Sequence, residues 1–173
     1  MIKVIGEKDI IKTRYFTIKN VDIEYPKGKT SYQILEKRDT SMIVALTPEL
    51  KIYFIKEFFV AINQYTLTLP KGRIDEGADE YSTANKELQE EIGFKANKLE
   101  KIAILTMSPG YLTQKTHIFL AQDLVENKLP GDELEELQVM KYSFPQVEEL
   151  IQKGEINEAR VIAAIYLVKR KLH

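Results

Sequence analysis

The chain contains no cysteine at any of its 173 positions. That absence excludes disulfide staples, thiolate nucleophiles and zinc–thiolate sites. An excess of charge of one sign is missing too: 25 basic residues stand against 26 acidic, for a net charge of −1. Binding along duplex nucleic acid needs a basic surplus to replace counterions, so a nucleic-acid partner is not expected, whereas a small phosphorylated ligand needs only local charge. No run approaches the roughly 18–20 apolar residues of a membrane span, and the opening MIKVIGEKDI lacks the unbroken apolar centre of a signal peptide. A cytoplasmic protein with no membrane partner is the expectation. Repeats and low-complexity stretches are likewise absent.

What is present is an ordinary globular mixture, 44% hydrophobic and 29% charged, spread over a length that suits one domain core. Tyr15 to Tyr25 alternates apolar and polar residues, breaks at Pro26-Lys27-Gly28-Lys29 and resumes from Tyr32 to Lys37, which predicts a hairpin. Ser41 to Thr47 is dense enough in apolar residues for a strand buried on both faces, and Lys51 to Phe59 returns as another. Leu69 to Gly77 reads as a loop bounded by proline and glycine. Asp79 then caps a helix expected to run to Ile92 and to stop at Gly93. Strands follow over Leu99 to Met107 and Thr116 to Gln122, then an acidic loop over Val125 to Glu136 and a short strand near Val139 to Phe144. Helices at about Pro145 to Lys153 and Asn157 to Leu172 end the chain, the last burying Val161, Ala164, Ile165 and Val168. The order predicts an α+β domain with a mixed sheet flanked by helices. Residues 1–40 form an N-terminal antiparallel strand region and 41–173 the domain proper.

Chemistry concentrates in GRIDEGADEYSTANKELQEEIGF, from Gly72 to Phe94. At 100° per residue Glu87, Glu90 and Glu91 share one arc of about 100°, beside a core-facing stripe of Tyr81, Ala84, Leu88 and Ile92. Like charges at such spacing oppose one another, acids near a helix C-terminus oppose the macrodipole, and no basic residue in the last turn is expected to offset them. A solvated acidic face is the ordinary reading of such a cluster. The rigid glycine-bearing loop feeding the same helix favours a hard divalent cation instead.

The stretch resembles the signature of the Nudix hydrolases, G-x5-E-x7-R-E-U-x-E-E-x-G-U, with U a bulky aliphatic residue. Gly72, Glu87, Leu88, Glu90, Glu91, Gly93 and Phe94 fall on matching positions without insertion or deletion. Ala78 stands where the family has a glutamate and Lys86 where it has arginine, as though both ends of one supporting contact had been relaxed together. The resemblance implies Glu87 and Glu91 as main ligands for Mg²⁺, or Mn²⁺, assisted by Glu90 and the backbone carbonyl of Lys71.

Beyond the signature, the chain looks most like the ADP compounds hydrolases and ADP-ribose pyrophosphatases of that family. Ser108-Pro109-Gly110 puts a proline sixteen residues past Gly93, similar to a marker of the pyrophosphatase group. On the acidic loop, Glu133 and Glu135 match in spacing the glutamates that serve there as general bases, and Glu90 is a further catalytic candidate. Lys56 to Phe59 lies where relatives place an arginine and an aromatic, making Lys56 a phosphate contact and Phe58 or Phe59 an adenine-stacking ring. Arg73 beside the box is a further phosphate candidate. Thr68 stands where the pyrophosphatases often carry a glutamate contact. His117, alone inside a strand, is read as a packed or surface residue rather than a base.

By this resemblance the chain hydrolyses the diphosphate of ADP-ribose, diadenosine polyphosphates or NADH and releases AMP, as a homodimer built through its N-terminal strands. The alternative, suggested by Ala78 and Lys86, is a catalytically quiet module that senses ADP-ribose-like ligands. A calcium scaffold is disfavoured, since the chain lacks the alternating Asp/Asn loop of an EF-hand.

Overall fold

A computed structural model describes residues 1–131 and 135–172. Strand β4 (Thr40–Ala45) organises the domain. Its residues from Ser41 onward are buried, as a strand covered on both faces requires. It pairs in parallel with β9 (Lys115–Glu126) and antiparallel with the short β7 (Lys71–Arg73), while β8 (Phe94–Thr106) closes the other edge against β9. A second sheet has the order β10-β5-β6, with β5 (Ile52–Phe59) between β6 (Gln64–Thr68) and β10 (Gln138–Tyr142). The mixed α+β arrangement predicted above is observed.

Side-chain alternation along β4 divides the core in two. Met42, Val44 and Leu46 face one way and pack with Ile118, Leu120, Ile52 and Phe54 against the two C-terminal helices, α2 (Phe144–Gln152) and α3 (Ala159–Leu172). Ile43 and Ala45 face the other way, with Phe119, Ala121, Tyr53 and Ile55, against the helix that carries the acidic segment. In α3 the stripe Val161, Ala164, Ile165 and Val168 is buried as its spacing demands. Ser143 and Gln146 form a reciprocal capping box at the start of α2, which fixes where that helix begins.

The N-terminal region is a three-stranded antiparallel sheet, β1 (Lys3–Lys12), β2 (Thr17–Tyr25) and β3 (Gly28–Glu36). The expected hairpin is β2–β3, with Tyr25 opposite Gly28. β1 lies inside the strand region expected over residues 1–40, but its largely exposed residues give no burial pattern from which to set its bounds. Two further differences have local causes. The segment after Leu69 is not all loop: Lys71, Gly72 and Arg73 pair with Met42, Ser41 and Thr40. β6 precedes it, with Thr68 buried and hydrogen-bonded to Glu158 on the turn before α3.

Candidate active site

The acidic helix begins as the sequence predicts. Asp79 accepts the backbone N–H of Ser82 at 2.8 Å and caps α1 (Glu80–Glu87). Asn85 then clamps α1 to β8, accepting from the Ala96 backbone at 2.8 Å and donating to its carbonyl at 3.0 Å. Regular α geometry stops at Glu87, and Leu88–Ile92 forms a π-helical turn, ended by Gly93 at φ 80°. Such wide turns inside helices are rare and concentrate at functional sites. Ala84, Leu88 and Ile92 are buried as expected, while Tyr81 is 40% exposed and meets Phe119 edge-on at 5.2 Å.

This wound-open end holds the carboxylates close to β7. Glu87 lies directly over Gly72: a Cβ placed there would fall 1.8 Å from its carboxyl carbon. No other residue type fits without expelling Glu87. Glu91, 5% exposed, accepts the Lys71 backbone N–H on Oε2 at 2.9 Å. Burial pushes its pKa well above the usual carboxylate range; the Lys71 charge and amide pull it back, while Glu87 and Glu57 push it further up. A buried acid that resists ionisation beside two others is a setting that a dication would relieve.

The last turn, Leu88–Ile92, carries no basic residue, as expected. Glu90 is offset from the turn before it, where Lys86 pairs with its carboxylate at 2.9 Å. Its carbonyl accepts from Lys128 Nζ at 2.6 Å. β9 runs on to Glu126, so the acidic loop starts later than the sequence suggests. The chain then returns along the box, with Asn127 N–H on Gly93 O at 2.9 Å and Leu129 N–H on Gln89 O at 3.1 Å. This return brings Glu135 and Glu136 opposite Glu90 and Glu91 across a cavity of about 300 Å³ that Lys128 and Gly131 also line. Glu133 lies outside the described residues.

A second cavity, of about 190 Å³, is lined by Lys56, Tyr65, Gln138 and the same Glu135 and Glu136. Lys56 Nζ sits 5.6 Å from the Tyr65 ring centroid, and Phe58 packs against that ring at 5.1 Å. A hydrogen bond to Glu135 raises the Tyr65 pKa. Phe58 is 37% exposed and so is not part of the core. Two candidates stand apart from both cavities. Arg73 shares Asp75 with Arg38, at 3.1 and 2.6 Å, and the two cations hold that carboxyl below its usual range. Pro109 is exposed on the turn between β8 and β9, which is tied to β3 through Leu35 N–H on Tyr111 O at 2.6 Å.

Sequence reading passed over several residues. Glu57 pairs with Lys71 Nζ, and both side chains are largely covered. Alternation along β5 was the available signal: it puts Glu57 and Phe59 on the face opposite Lys56 and Phe58. Tyr65 was legible in the alternating Gln64-Tyr65-Thr66-Leu67-Thr68, whereas Gln138 and Lys128 gave no signal. Of its two expected settings His117 takes the packed one, bridging Glu80 on α1 and Asp39, the latter at 3.0 Å.

The residues suit a hard divalent cation. Among the described residues no group of three or more His, Cys, Asp or Glu side chains makes a ready cage. Mg²⁺ does not require one, since it keeps several waters and takes one or two carboxylates together with substrate phosphates.

Comparison with known proteins bears on the same residues. The NUDIX domain family matches residues 36–165. The ADP compounds hydrolase NudE of Escherichia coli (strain K12) is 34% identical over 172 residues, covering 98% of this chain and 92% of its own. The ADP-ribose pyrophosphatase of Bacillus subtilis (strain 168) is 32% identical over 178 residues, covering 98% and 96%. A crystal structure of an ADP compounds hydrolase superposes with a TM-score of 0.90 at 34% identity, covering 99% of this chain and 94% of that one. With the family matched across most of its length and relatives aligned nearly end to end, this chain belongs to the NUDIX family.

Proposed function

We propose that the chain is a Mg²⁺-dependent hydrolase of ADP-containing diphosphates, with ADP-ribose as the first candidate and diadenosine polyphosphates or NADH next. Mn²⁺ is the expected substitute ion. The observation that carries this reading is the convergence of Glu87 and Glu91 on Lys71 and Gly72 of β7. Both relatives aligned over 98% of the chain are named for ADP compounds.

In this reading Glu87 and Glu91 hold the cation, with Glu90 and the Lys71 carbonyl assisting. A cation bound there would supply charge neutralisation for the diphosphate and a lower pKa for the attacking water. Gly72 leaves Glu87 the room to reach it. Glu133 or Glu135 accepts the water's proton, and Glu135 already faces Glu90 and Glu91 across their cavity. Water adds to one phosphorus, the bridging P–O bond breaks, and ADP-ribose yields AMP and ribose 5-phosphate. Lys56 and Phe58, grouped around Tyr65, serve the nucleotide on the adjoining cavity. Arg73 is kept as a phosphate contact and Pro109 as a substrate contact, although neither lines the two cavities.

The sensor alternative rests on Ala78 and Lys86. Lys86 keeps a cation on Glu90, however, so the change from arginine leaves that charge paired and favours turnover. Residues 1–40 are assigned to homodimer pairing and 41–173 to the hydrolase domain. β1 exposes Val4, Ile5, Ile10 and Ile11, an apolar load suited to a second copy. The compartment is taken as the cytoplasm.

A panel of ADP-ribose, NADH, diadenosine triphosphate, ADP-glucose and coenzyme A, each with Mg²⁺ and with Mn²⁺, identifies the substrate by AMP release. Glu91→Gln should abolish that release while leaving the circular dichroism spectrum unchanged. Full activity in this variant, or calorimetric binding of ADP-ribose without turnover in the wild type, would overturn the proposal.

A further inference from the structure

Lys71 makes three contacts of different kinds at the acidic turn. Its backbone N–H binds Glu91 at 2.9 Å, its ammonium pairs with Glu57, and the same ammonium lies 5.1 Å from the Phe59 ring centroid. The two charged side chains are only 13% and 28% exposed. A covered ion pair recovers little more than its desolvation cost, so stability alone is a weak reason for placing one here. Its location suggests another role. Both charges are felt at Glu91, Lys71 as an attraction and Glu57 as a repulsion.

We propose that the Lys71 ammonium is a resident counter-charge for the carboxylates of the cation site, and that Glu57 is the positioning residue that holds it to one side. The inference rests on the cation site described above. With Glu57 in place, the ammonium is tied to β5 while its charge still opposes the repulsion at Glu91. Without the Glu57 charge, the ammonium keeps its contact with the Phe59 ring but loses its anionic partner, and is drawn toward the site's own acids, where it competes with the incoming ion. The pair thereby sets how tightly the site takes a dication.

The test uses two variants that break the same ion pair while changing charge in opposite directions. Mn²⁺ is titrated into the full-length protein without nucleotide, and free ion is followed by electron paramagnetic resonance. Glu57→Gln should weaken Mn²⁺ binding by about three- to tenfold, and Lys71→Met should tighten it by a similar factor. The double variant should return to within about twofold of wild type, as should Lys71→Arg, which keeps the charge. A merely structural tether predicts the same direction for both single variants, through disturbance of the Lys71–Gly72 backbone. Shifts of the same sign, or no shift in either, overturn the proposal. Should Lys71→Met prove insoluble, Lys71→Gln carries the same sign test. If the wild type itself binds no Mn²⁺, the cation site falls and this inference falls with it, whereas wild-type binding with same-sign variants removes the inference alone.

Discussion

The two faces of the central sheet are built from the same strands and made for different ends. On one, Met42, Val44, Ile118 and Leu120 meet helices whose inward residues are apolar: Val147, Val161, Ala164, Ile165 and Val168. On the other, Ile43, Ala45, Phe119 and Ala121 meet Ala84, Leu88 and Ile92, on a segment that also carries Glu87, Glu90 and Glu91. The first face is a seal. The second is a mount, where the apolar residues hold a helix that also presents three carboxylates beside β7. The difference teaches that burial on the second face is tied to geometry at the site as well as to stability.

Gly72 gives the largest expected effect and the sharpest break between the faces. A methyl group at this position must drive the Glu87 carboxylate away by more than an ångström. A misplacement of that size costs on the order of a hundredfold or more in rate, and Gly72→Ala should lower kcat/KM for AMP release by about a thousandfold. The melting temperature should change little. Retained activity would show that Glu87 works from elsewhere.

Core truncations then compare the faces directly. Ile165→Ala and Leu88→Ala each remove a buried aliphatic side chain and should each cost about 2–4 kcal/mol in urea unfolding. Per folded molecule, Ile165→Ala should keep its kcat. Leu88→Ala, at the first residue of the π turn and next to Glu87, should lose about tenfold, because a looser mount misplaces the acids. Equal kcat in the two variants would mean that the faces do not differ in this way.

Legibility in the sequence follows the same division. Where a residue's role depends on its own segment, it could be read: the stripe of α3, the Asp79 cap, the Gly93 stop and the spacing of the three glutamates all lie within one stretch of chain. Where the role depends on a partner far along the chain, it could not. Glu57 gains its meaning from Lys71 fourteen residues away, and Asn85 from Ala96 across a turn. β1 could not be delimited within the N-terminal strand region because exposed residues leave no periodic trace, and β7 was missed because three residues are too few to show one. The π turn was invisible, since Leu88–Ile92 also fits an ordinary α pattern.

Glu91 supplies a smaller effect with a definite sign. A carboxyl whose pKa rises on folding binds its proton more tightly in the native state. The associated stability is complete below the ordinary value of 4.5 and is lost as pH climbs through the raised native value. Cation-free protein should therefore gain from Glu91→Gln at neutral pH, melting a few degrees higher than wild type in chelator by scanning calorimetry. Near pH 4 the two should converge, because wild-type Glu91 is then protonated. Saturating Mg²⁺ should reverse their order at neutral pH, since only the wild type keeps the charge that binds the ion. A variant no more stable than wild type in chelator at neutral pH would contradict the strain assigned to this residue.

The smallest effect is expected from a charge on the sealed face. Lys169 on α3 pairs with Glu148 on α2 at 3.0 Å, with side chains 41% and 51% exposed. Water screens such a pair, and ordering two long side chains offsets most of the attraction, so its coupling should be no more than about 0.5 kcal/mol. A double-mutant cycle with Lys169→Ala and Glu148→Ala, read by urea unfolding at low and high salt, measures it. AMP release should be untouched in every corner of the cycle. The contrast with Glu57 and Lys71 is the point of the measurement: both are ion pairs between separate elements, but one lies over a closed apolar core and the other beside the carboxylate of Glu91. A change in activity from Lys169→Ala would mean that the sealed face also reaches the site.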